Sequence, residues 1–425
     1  MGSSIIKAQR GTKDILPSES FKWSFLENLI EKISLRFNFK KIRTPIFEST
    51  SLFDRSVGNQ TDVVQKEMYT FFDKAKRSIS LRPEGTASVA RSVIEHSLFK
   101  NALPLKFFYV GTFYRYEKPQ SGRFREFYQF GAEIFGSSLP EADIELILFA
   151  KSFFDELKIR NLLLKINSMG CSFCRESYNS AVYKYFNSKK SKICSVCLAR
   201  LKKNPLRILD CKDEECRNLS ENAPSILNFL CKSCCCHFES VKFYLDVLKI
   251  KYKIDSKIVR GLDYYNRTVF EFVNDEIGNQ SAVCGGGRYD DLVEKLGGPF
   301  LPAIGFAIGI ERLFLIMEKQ KVEFKNFKTC DIYIANTSNE VKSTVVDLSF
   351  ILKNKTKLIC EYDILGRNLK SQIKYADKIK AKFVLVIGSK EITQGFAIAK
   401  DMNNKKTFNV SLKDAFLQDV LKIVK

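Results

Sequence analysis

An α+β fold is predicted for this 425-residue chain. It comprises a large antiparallel sheet with flanking helices, a cysteine-rich insertion and a C-terminal α/β domain. Three observations predict it. Aromatic-rich segments with strand-like alternation, "PLKFFYVGTFYRYE" and "FREFYQFGAEIFG", lie either side of a short polar turn. Of the 13 cysteines, all but Cys284, Cys330 and Cys360 crowd between Cys171 and Cys236. Towards the end, "CDIYIAN", "KLICEYD" and "AKFVLVIGS" alternate with helical patterns. The expected boundaries are 1–170 with 238–320 for the sheet domain, 171–237 for the insertion and 328–425 for the last domain.

Residues 18–37 carry Phe21, Phe25, Leu29 and Ile33 four apart, the stripe of an amphipathic helix, with Ser18 as its N-cap. "KKIRTPIFEST" reads as a strand in which Pro45 marks an edge or the start of pairing. "EMYTFFDKAKRSISLRPEGT" reads as two strands about a basic turn, feeding a helix near 86–96. The two aromatic strands follow, joined by "KPQSGR" as an antiparallel hairpin. A helix is expected over 141–158 and a strand at "NLLLKINSMG", before the insertion interrupts. "RGLDYYNRTVFEF" opens a further strand; "SAVCGGGRYDDLVEKLGG" reads as strand, turn and helix, and "PAIGFAIGIERLFLIMEKQ" as a last strand and helix. A linker is expected near 319–329, and the sheet beyond it is expected to be largely parallel.

Lys and Arg number 69 against 48 Asp and Glu, a net charge of +21. Such a surplus attracts polyanions. A lysine-rich surface of biased composition gives the same total, so charge leaves both readings open. The sequence lacks an apolar run of membrane-spanning length and a signal-peptide core, so a cytoplasmic protein is expected. With His96 and His237 as the sole histidines, a histidine-based triad or multi-histidine metal centre is nearly excluded.

Arginines stand beside carboxylates at strand ends: Arg82 and Glu84, Arg115 and Glu117, Arg123 before Glu133, Arg260 and Asp263, Glu311 and Arg312. Singly, each pair reads as a surface ion pair of little energetic worth. Together on one sheet they suit a polyphosphate, because guanidinium forks match phosphate oxygens. Phe127, Gln129 and Glu133 share a strand face by even spacing, joined by Arg123 and Arg125 if the strand starts early. That face can stack a base and hydrogen-bond a small polar ligand; ordinary half-buried alternation gives the same pattern. "CGGGRYD" lacks the ending of a P-loop and the spacing of a dinucleotide fingerprint. It suits a tight turn, or backbone brought close to a ligand or another strand.

Cys171, Cys174, Cys194 and Cys197 have zinc-ribbon spacing; Cys211, Cys216, Cys231 and Cys234 can form a second set, with Cys235, Cys236 and His237 in reserve. Structural zinc and inert buried thiols both fit, and disulfides do not suit a reducing cytoplasm. One or two zinc ions per chain are expected.

The motifs resemble those of class II aminoacyl-tRNA synthetases, and within them bacterial-type histidyl-tRNA synthetases. "TPIFESTSLFDRSVG" is similar to the first class motif; "LRPEGTASVAR" with "GTFYRYEKPQSGRFREFYQFGAEIFG" to the second; "GFAIGIERL" to the third. "RGLDYYNRTVFEF" and "CGGGRYDDLV" resemble the two stretches peculiar to the histidine enzymes. The resemblance implies a class II antiparallel sheet, an anticodon-binding domain at 328–425, a homodimer, and ATP-dependent ligation of L-histidine to tRNA(His). It implies that Glu84, Gly85, Thr86, Arg115, Gln129, Glu133, Arg260, Tyr264 and Tyr265 bind histidine. Glu133 and Tyr265 would face the imidazole nitrogens. ATP with Mg²⁺ would meet Arg115, Glu117, Arg123, Phe127 and Arg312, with Arg115, Arg260 and Arg312 catalytic. Lys118, Gln120 and Arg123 would contact the acceptor end of the tRNA. Related chains that lack the last domain act instead as regulatory subunits in histidine biosynthesis. The tail and the retained arginines distinguish this chain from them.

Overall fold

Aromatic alternation builds the centre of the molecule. The computed structural model describes residues 5–424 apart from 59–60, 210, 212, 259, 278–281 and 325–328. Its first strands are β1 (Lys40–Lys41), β2 (Phe47–Ser49), β3 (Thr70–Phe72), β4 (Ser78–Leu81), β5 (Leu105–Tyr114) and β6 (Glu126–Phe135). Next come β7 (Leu163–Ser168), β8 (Tyr252–Ile254), β9 (Asn266–Val273), β10 (Ala282–Arg288) and β11 (Ala303–Gly309). Eight form one sheet in the order β1-β5-β6-β11-β10-β9-β7-β8. It is antiparallel except where β1 meets β5 and β7 meets β8. The expected hairpin forms residue by residue, from Leu105 opposite Phe135 to Tyr114 opposite Glu126.

Period-two alternation divides β6. Phe130, Ala132 and Ile134 are buried on one face. There Phe130 and Phe306 meet Phe149 of the helix Pro140–Glu156 edge-on, with ring centroids 5.5–5.7 Å apart. Burying each such ring stabilises the fold by about 1.5–3 kcal/mol. The opposite face, with Phe127 and Gln129, is left to line a cavity.

Several local expectations need correction. The first helix is Pro17–Arg36, and Leu16, not Ser18, holds its N-cap without a side-chain bond. Proline at the first helical position gives up a donor that would have had no partner anyway. The fully buried stripe is Leu26, Ile30 and Ile33; Phe21, Phe25 and Leu29 are half-buried. "KKIRTPIFEST" splits at Pro45 into β1 and β2, which join different sheets, since proline offers no ladder donor. "CGGG" is neither loop nor turn: Cys284 to Gly287 lie inside β10, paired with β9 and β11.

The insertion folds as the helices Ser172–Asn187, Ser195–Lys203, Glu214–Glu221 and Lys232–Val247. They surround Tyr178, Val182, Phe186, Ile193, Leu206, Ile208 and Ile226. The last of them runs across the expected 237/238 boundary.

The chain divides into two units, Met1–Glu323 and Phe324–Lys425. Of the expected linker, 325–328 lie outside the described residues; the helix before it ends at Lys319. The second unit holds β12 (Ile332–Asn336), β13 (Cys360–Tyr362), β14 (Phe383–Ile387), β15 (Phe396–Asp401) and β16 (Thr407–Ser411), in the order β13-β12-β14-β15-β16. The sheet is mixed rather than largely parallel. Helices Lys342–Lys355 and Leu369–Lys378 are long enough to cross between parallel strands, whereas the short link from β15 to β16 permits only a hairpin. Among the described residues no helix is long and apolar enough to cross a membrane.

Candidate active site

A cavity of about 770 Å³ opens on the free face of the eight-stranded sheet, well within the range of small-molecule sites. Strand β6 brings Phe127 and Gln129 to it, the hairpin loop Glu117 and Arg123, and the loop before β9 Arg260, Tyr264 and Tyr265. Glu84, Gly85, Thr86, Arg115, Glu311 and Arg312 also line it, and the insertion contributes Cys194, Arg200, Arg207 and Cys211. Residues from distant parts of the chain thus meet in one place.

Glu84 sits just ahead of the helix Thr86–Glu95 and accepts from the amides of Thr86 and Ala87 at 2.8 and 2.7 Å. It satisfies a helix N-terminus whose N-cap, Gly85, has no side chain to do so. A Cβ on Gly85 would collide with the Tyr109 ring. The Tyr264 hydroxyl donates to Glu84 at 3.2 Å, and its ring lies 4.6 Å from Tyr265. Gln129 Oε1 is buried without a partner. Carboxylate and unmatched amide oxygen together make a pocket for a cation.

The arginines crowd the other end. Arg115 donates to the Pro83 carbonyl at 2.9 Å and stands 5.5 Å from the centre of the Phe127 ring. Arg123 pairs with Glu117 at 3.0 Å. Arg312 donates to the Ala282 carbonyl at 2.8 Å; burial and the charges of Arg123 and Arg115 push its pKa down. A buried guanidinium held against two neighbouring cations is a site prepared for a polyanion. Burial opposes the charge on Arg260, but Tyr265 and Glu271 outweigh it, and Arg260 is ion-paired with Glu271. Glu311 accepts from the Tyr128 amide at 2.9 Å, and burial pushes its carboxyl up to about 7.

Not every expected residue reaches the cavity. Glu133 lies beneath it, wholly enclosed. It accepts from Thr86 Oγ1 at 2.8 Å, Tyr109 Oη at 3.1 Å and Tyr289 Oη at 2.5 Å. Gly305 opposite it on β11 has no Cβ to block the carboxyl. Arg125 leaves the shared face, because β6 begins only at Glu126. Its guanidinium stacks 3.9 Å over Tyr116 and its stem packs on Gly11. Lys118 and Gln120 are exposed on the hairpin turn, outside the cavity lining. Arg82 lies outside the cavity lining, donating to the Thr112 and Thr44 carbonyls. Asp263 faces the insertion, 3.4 Å from Arg207.

Tyr109, Tyr289 and Glu271 were not singled out from the sequence. Only Glu271, a charge between Phe270 and Phe272 in a strand, carried a visible signal. Nor was a buried ionic network beside the site: Arg288, fully enclosed, bonds Asp143 at 2.5 Å and Asp290 at 3.1 Å, and His237 bonds Asp143 at 3.2 Å. His237 is therefore no spare metal ligand.

The eight cysteines form two sets, grouped differently from the expectation. Cys171 and Cys174 meet Cys231 and Cys234; Cys194 and Cys197 meet Cys211 and Cys216. Within each set the sulfurs lie within 4.8 Å of one another, with separations of 3.6 and 3.9 Å about Cys171 and 3.9 Å between Cys194 and Cys211. A tetrahedral zinc with bonds of about 2.3 Å holds its sulfurs about 3.8 Å apart. The Cys231 amide donates to Cys174 at 3.1 Å and the Cys194 amide to Cys216 at 3.2 Å. Burial pushes the Cys171 thiol up, yet the Cys174 amide and neighbouring thiols bring it down to about 7. Burial pushes the Cys174 and Cys234 thiols of the same set up, and the amide donors suit sulfurs that lose their protons when a cation binds. Cys235 and Cys236 are exposed and belong to neither set.

Comparison with known proteins gives a consistent picture. A family model described as Histidyl-tRNA synthetase matches residues 11–313, and an Anticodon binding domain model matches 331–418. A histidine–tRNA ligase of Acetivibrio thermocellus is 50% identical over 408 residues, covering 96% of this chain and 98% of that protein. One from Clostridium botulinum is 46% identical over 420 residues, covering 99% and 100%. The crystal structure of apo Staphylococcus aureus histidyl-tRNA synthetase superposes with a TM-score of 0.83 at 37% identity, covering 98% of this chain and all of the other.

Proposed function

The chain belongs to the histidyl-tRNA synthetase family, and on that premise we propose how its cavity carries out the reaction. It is a histidine–tRNA ligase: it activates L-histidine with ATP and transfers it to tRNA(His). The observation that carries the residue assignment is the convergence of Arg115, Arg123, Arg260 and Arg312 at one end of a cavity whose other end offers Glu84, Thr86 and Gln129.

Histidine's ammonium lies against Glu84, Thr86 and the unpaired oxygen of Gln129. Tyr265 meets the imidazole directly. Glu133 reads it from below through Thr86 and Tyr109, or directly once its hydroxyl partners turn aside. A buried polar set of this kind is left unpaired by an apolar amino acid, so selectivity needs no editing site. ATP enters as its magnesium complex. Phe127 stacks the adenine, Arg115 grips the α-phosphate, and Arg123 and Arg312 hold the rest, with Glu117 fixing Arg123. The histidine carboxylate then attacks the α-phosphorus, the bond to the β-phosphate oxygen breaks, and pyrophosphate leaves. Arg260 touches both carboxylate and α-phosphate and neutralises the charge that builds there. A hydroxyl of the terminal adenosine of tRNA next attacks the adenylate carbonyl and releases AMP. Lys118, Gln120 and Arg123 sit where the hairpin loop meets the acceptor end, and the second unit binds the anticodon.

The two cysteine sets bind one structural zinc each, which suits unpaired thiols and a reducing cytoplasm. A homodimer forms through the region of β2, β3 and β4, where Ile46, Phe47, Phe71 and Phe72 are exposed.

Histidine-dependent pyrophosphate–ATP exchange with Arg260→Ala tests the assignment. Exchange should fall by about 100- to 1000-fold while histidine and ATP still bind. Near-normal exchange would remove Arg260 from the chemistry.

A further inference from the structure

A second cavity lies behind the loop that carries Arg260. Residues 260–265 form a thin wall between the main cavity and this second cavity of about 280 Å³, and Arg207, Arg260, Leu262 and Tyr265 line both. What bridges the gap is polar. Arg207 donates through Nη2 to the Gly261 carbonyl at 2.8 Å and lies 3.4 Å from Asp263 Oδ1. From the other side the Asp263 amide donates to the Val57 carbonyl at 3.1 Å, and a Cβ on Gly58 (φ +95°) would press on the Asp263 carboxyl. The loop is thus clamped at Gly261 and Asp263, immediately beyond Arg260.

Arg207 is itself held by the insertion. It lies in the 3₁₀ turn Pro205–Ile208, whose Leu206 and Ile208 are in the insertion core, and its carbonyl accepts from Arg200 at 3.1 Å. Arg200 sits on the helix Ser195–Lys203, whose N-cap is Cys194, and also reaches Asp62 at 3.3 Å. The Cys211 amide donates to the Ile208 carbonyl at 3.0 Å. Arg207 therefore stands on a short span of chain pinned at each end by cysteines of one set, Cys194 with Cys197 and Cys211 with Cys216.

The geometry points to Arg207 as a positioning residue for the synthetic reaction: it holds the Arg260 loop in place, and a metal at the Cys194 set holds Arg207. This rests on the catalytic role of Arg260 and on zinc in that set. The guanidinium spans the gap, and its Nη2 contacts Gly261 and Asp263, both on the loop it steadies. A displacement of about 1 Å at a reacting group costs about 100-fold in rate. The effect therefore belongs in kcat rather than in substrate affinity.

Arg207→Ala in the full chain should lower kcat for pyrophosphate exchange by about 100-fold and leave KM for histidine and ATP within about threefold. Arg207→Lys, which keeps the charge and one donor, should recover part of the loss. In an Arg260→Ala background, Arg207→Ala should cost no more than about twofold further, because both act at one point. A rise in KM at unchanged kcat, or losses that multiply in the double variant, would overturn the role. Cys194→Ser with Cys197→Ser should drop one zinc equivalent by elemental analysis and reproduce the kcat loss. Unchanged metal content there would overturn the metal support while leaving the Arg207 kinetics to decide the positioning role. Full exchange by Arg260→Ala would instead strike at the catalytic assignment beneath both.

Discussion

Glu133 is the carboxyl most closed to water at this site, and burial pushes it up to about 8 despite three donating hydroxyls. An acid raised from 4.5 to about 8 on folding takes up a proton as the chain folds anywhere between those values. Stability from this group is therefore lost as pH rises through that window. Glu133→Gln cannot ionise and lacks the effect. Melting temperatures across about pH 5 to 8 should show the parent falling relative to the variant; parallel curves would contradict the buried, protonated carboxyl. Glu311 moves in the same direction in both proteins and cancels from the difference. At this scale the arginines were legible, because several guanidinium groups at strand ends have few purely structural uses. Tyr109 and Tyr289 were not: each reads as a core aromatic, and only the fold turns their hydroxyls onto Glu133.

Within β10 three consecutive glycines have three different neighbours. A Cβ on Gly285 would meet the Arg260 guanidinium, the movable end of a long side chain. One on Gly286 would meet the Gly305 carbonyl at 2.5 Å and the Phe270 ring at 2.6 Å, which cannot yield as easily. Gly285→Ala should accordingly depress pyrophosphate exchange with little change in denaturant midpoint. Gly286→Ala should destabilise by about 1–3 kcal/mol. A loss of stability confined to Gly285→Ala would reverse the assignment. Hairpin β5–β6 was readable because polar turn and aromatic alternation agree. The strand identity of "CGGG" was not, since glycine's freedom argues for turns until partner strands are known. Nor could the cysteine grouping be read: spacing names the pairs, but which pairs meet depends on how the insertion's helices return.

For the whole molecule the charge of +21 acts on partners differently. Aminoacylation brings in tRNA phosphates, whereas pyrophosphate exchange needs only small substrates. Raising salt from about 50 to 200 mM should weaken tRNA affinity steeply, while exchange changes little. Equal sensitivity of both would argue against a phosphate-dominated tRNA contact. The exposed Ile46, Phe47, Phe71 and Phe72 carry the proposed dimer, and Phe47→Glu with Phe72→Glu should shift the protein to monomer in sedimentation. Domain order was visible from composition alone, as cysteine crowding and the change to alternating strands and helices marked the transitions. The mixed hydrogen bonding of the last sheet was not, because connection length rather than strand sequence decides direction.

The first cysteine set brings Cys171 and Cys174, where the insertion leaves β7, beside Cys231 and Cys234, where it returns. A metal held there, as proposed above, would stitch the neck, so that the intervening segment would meet the sheet as a module with fixed ends. Such a seam lets evolution lengthen, trim or exchange the module without disturbing the strands on either side.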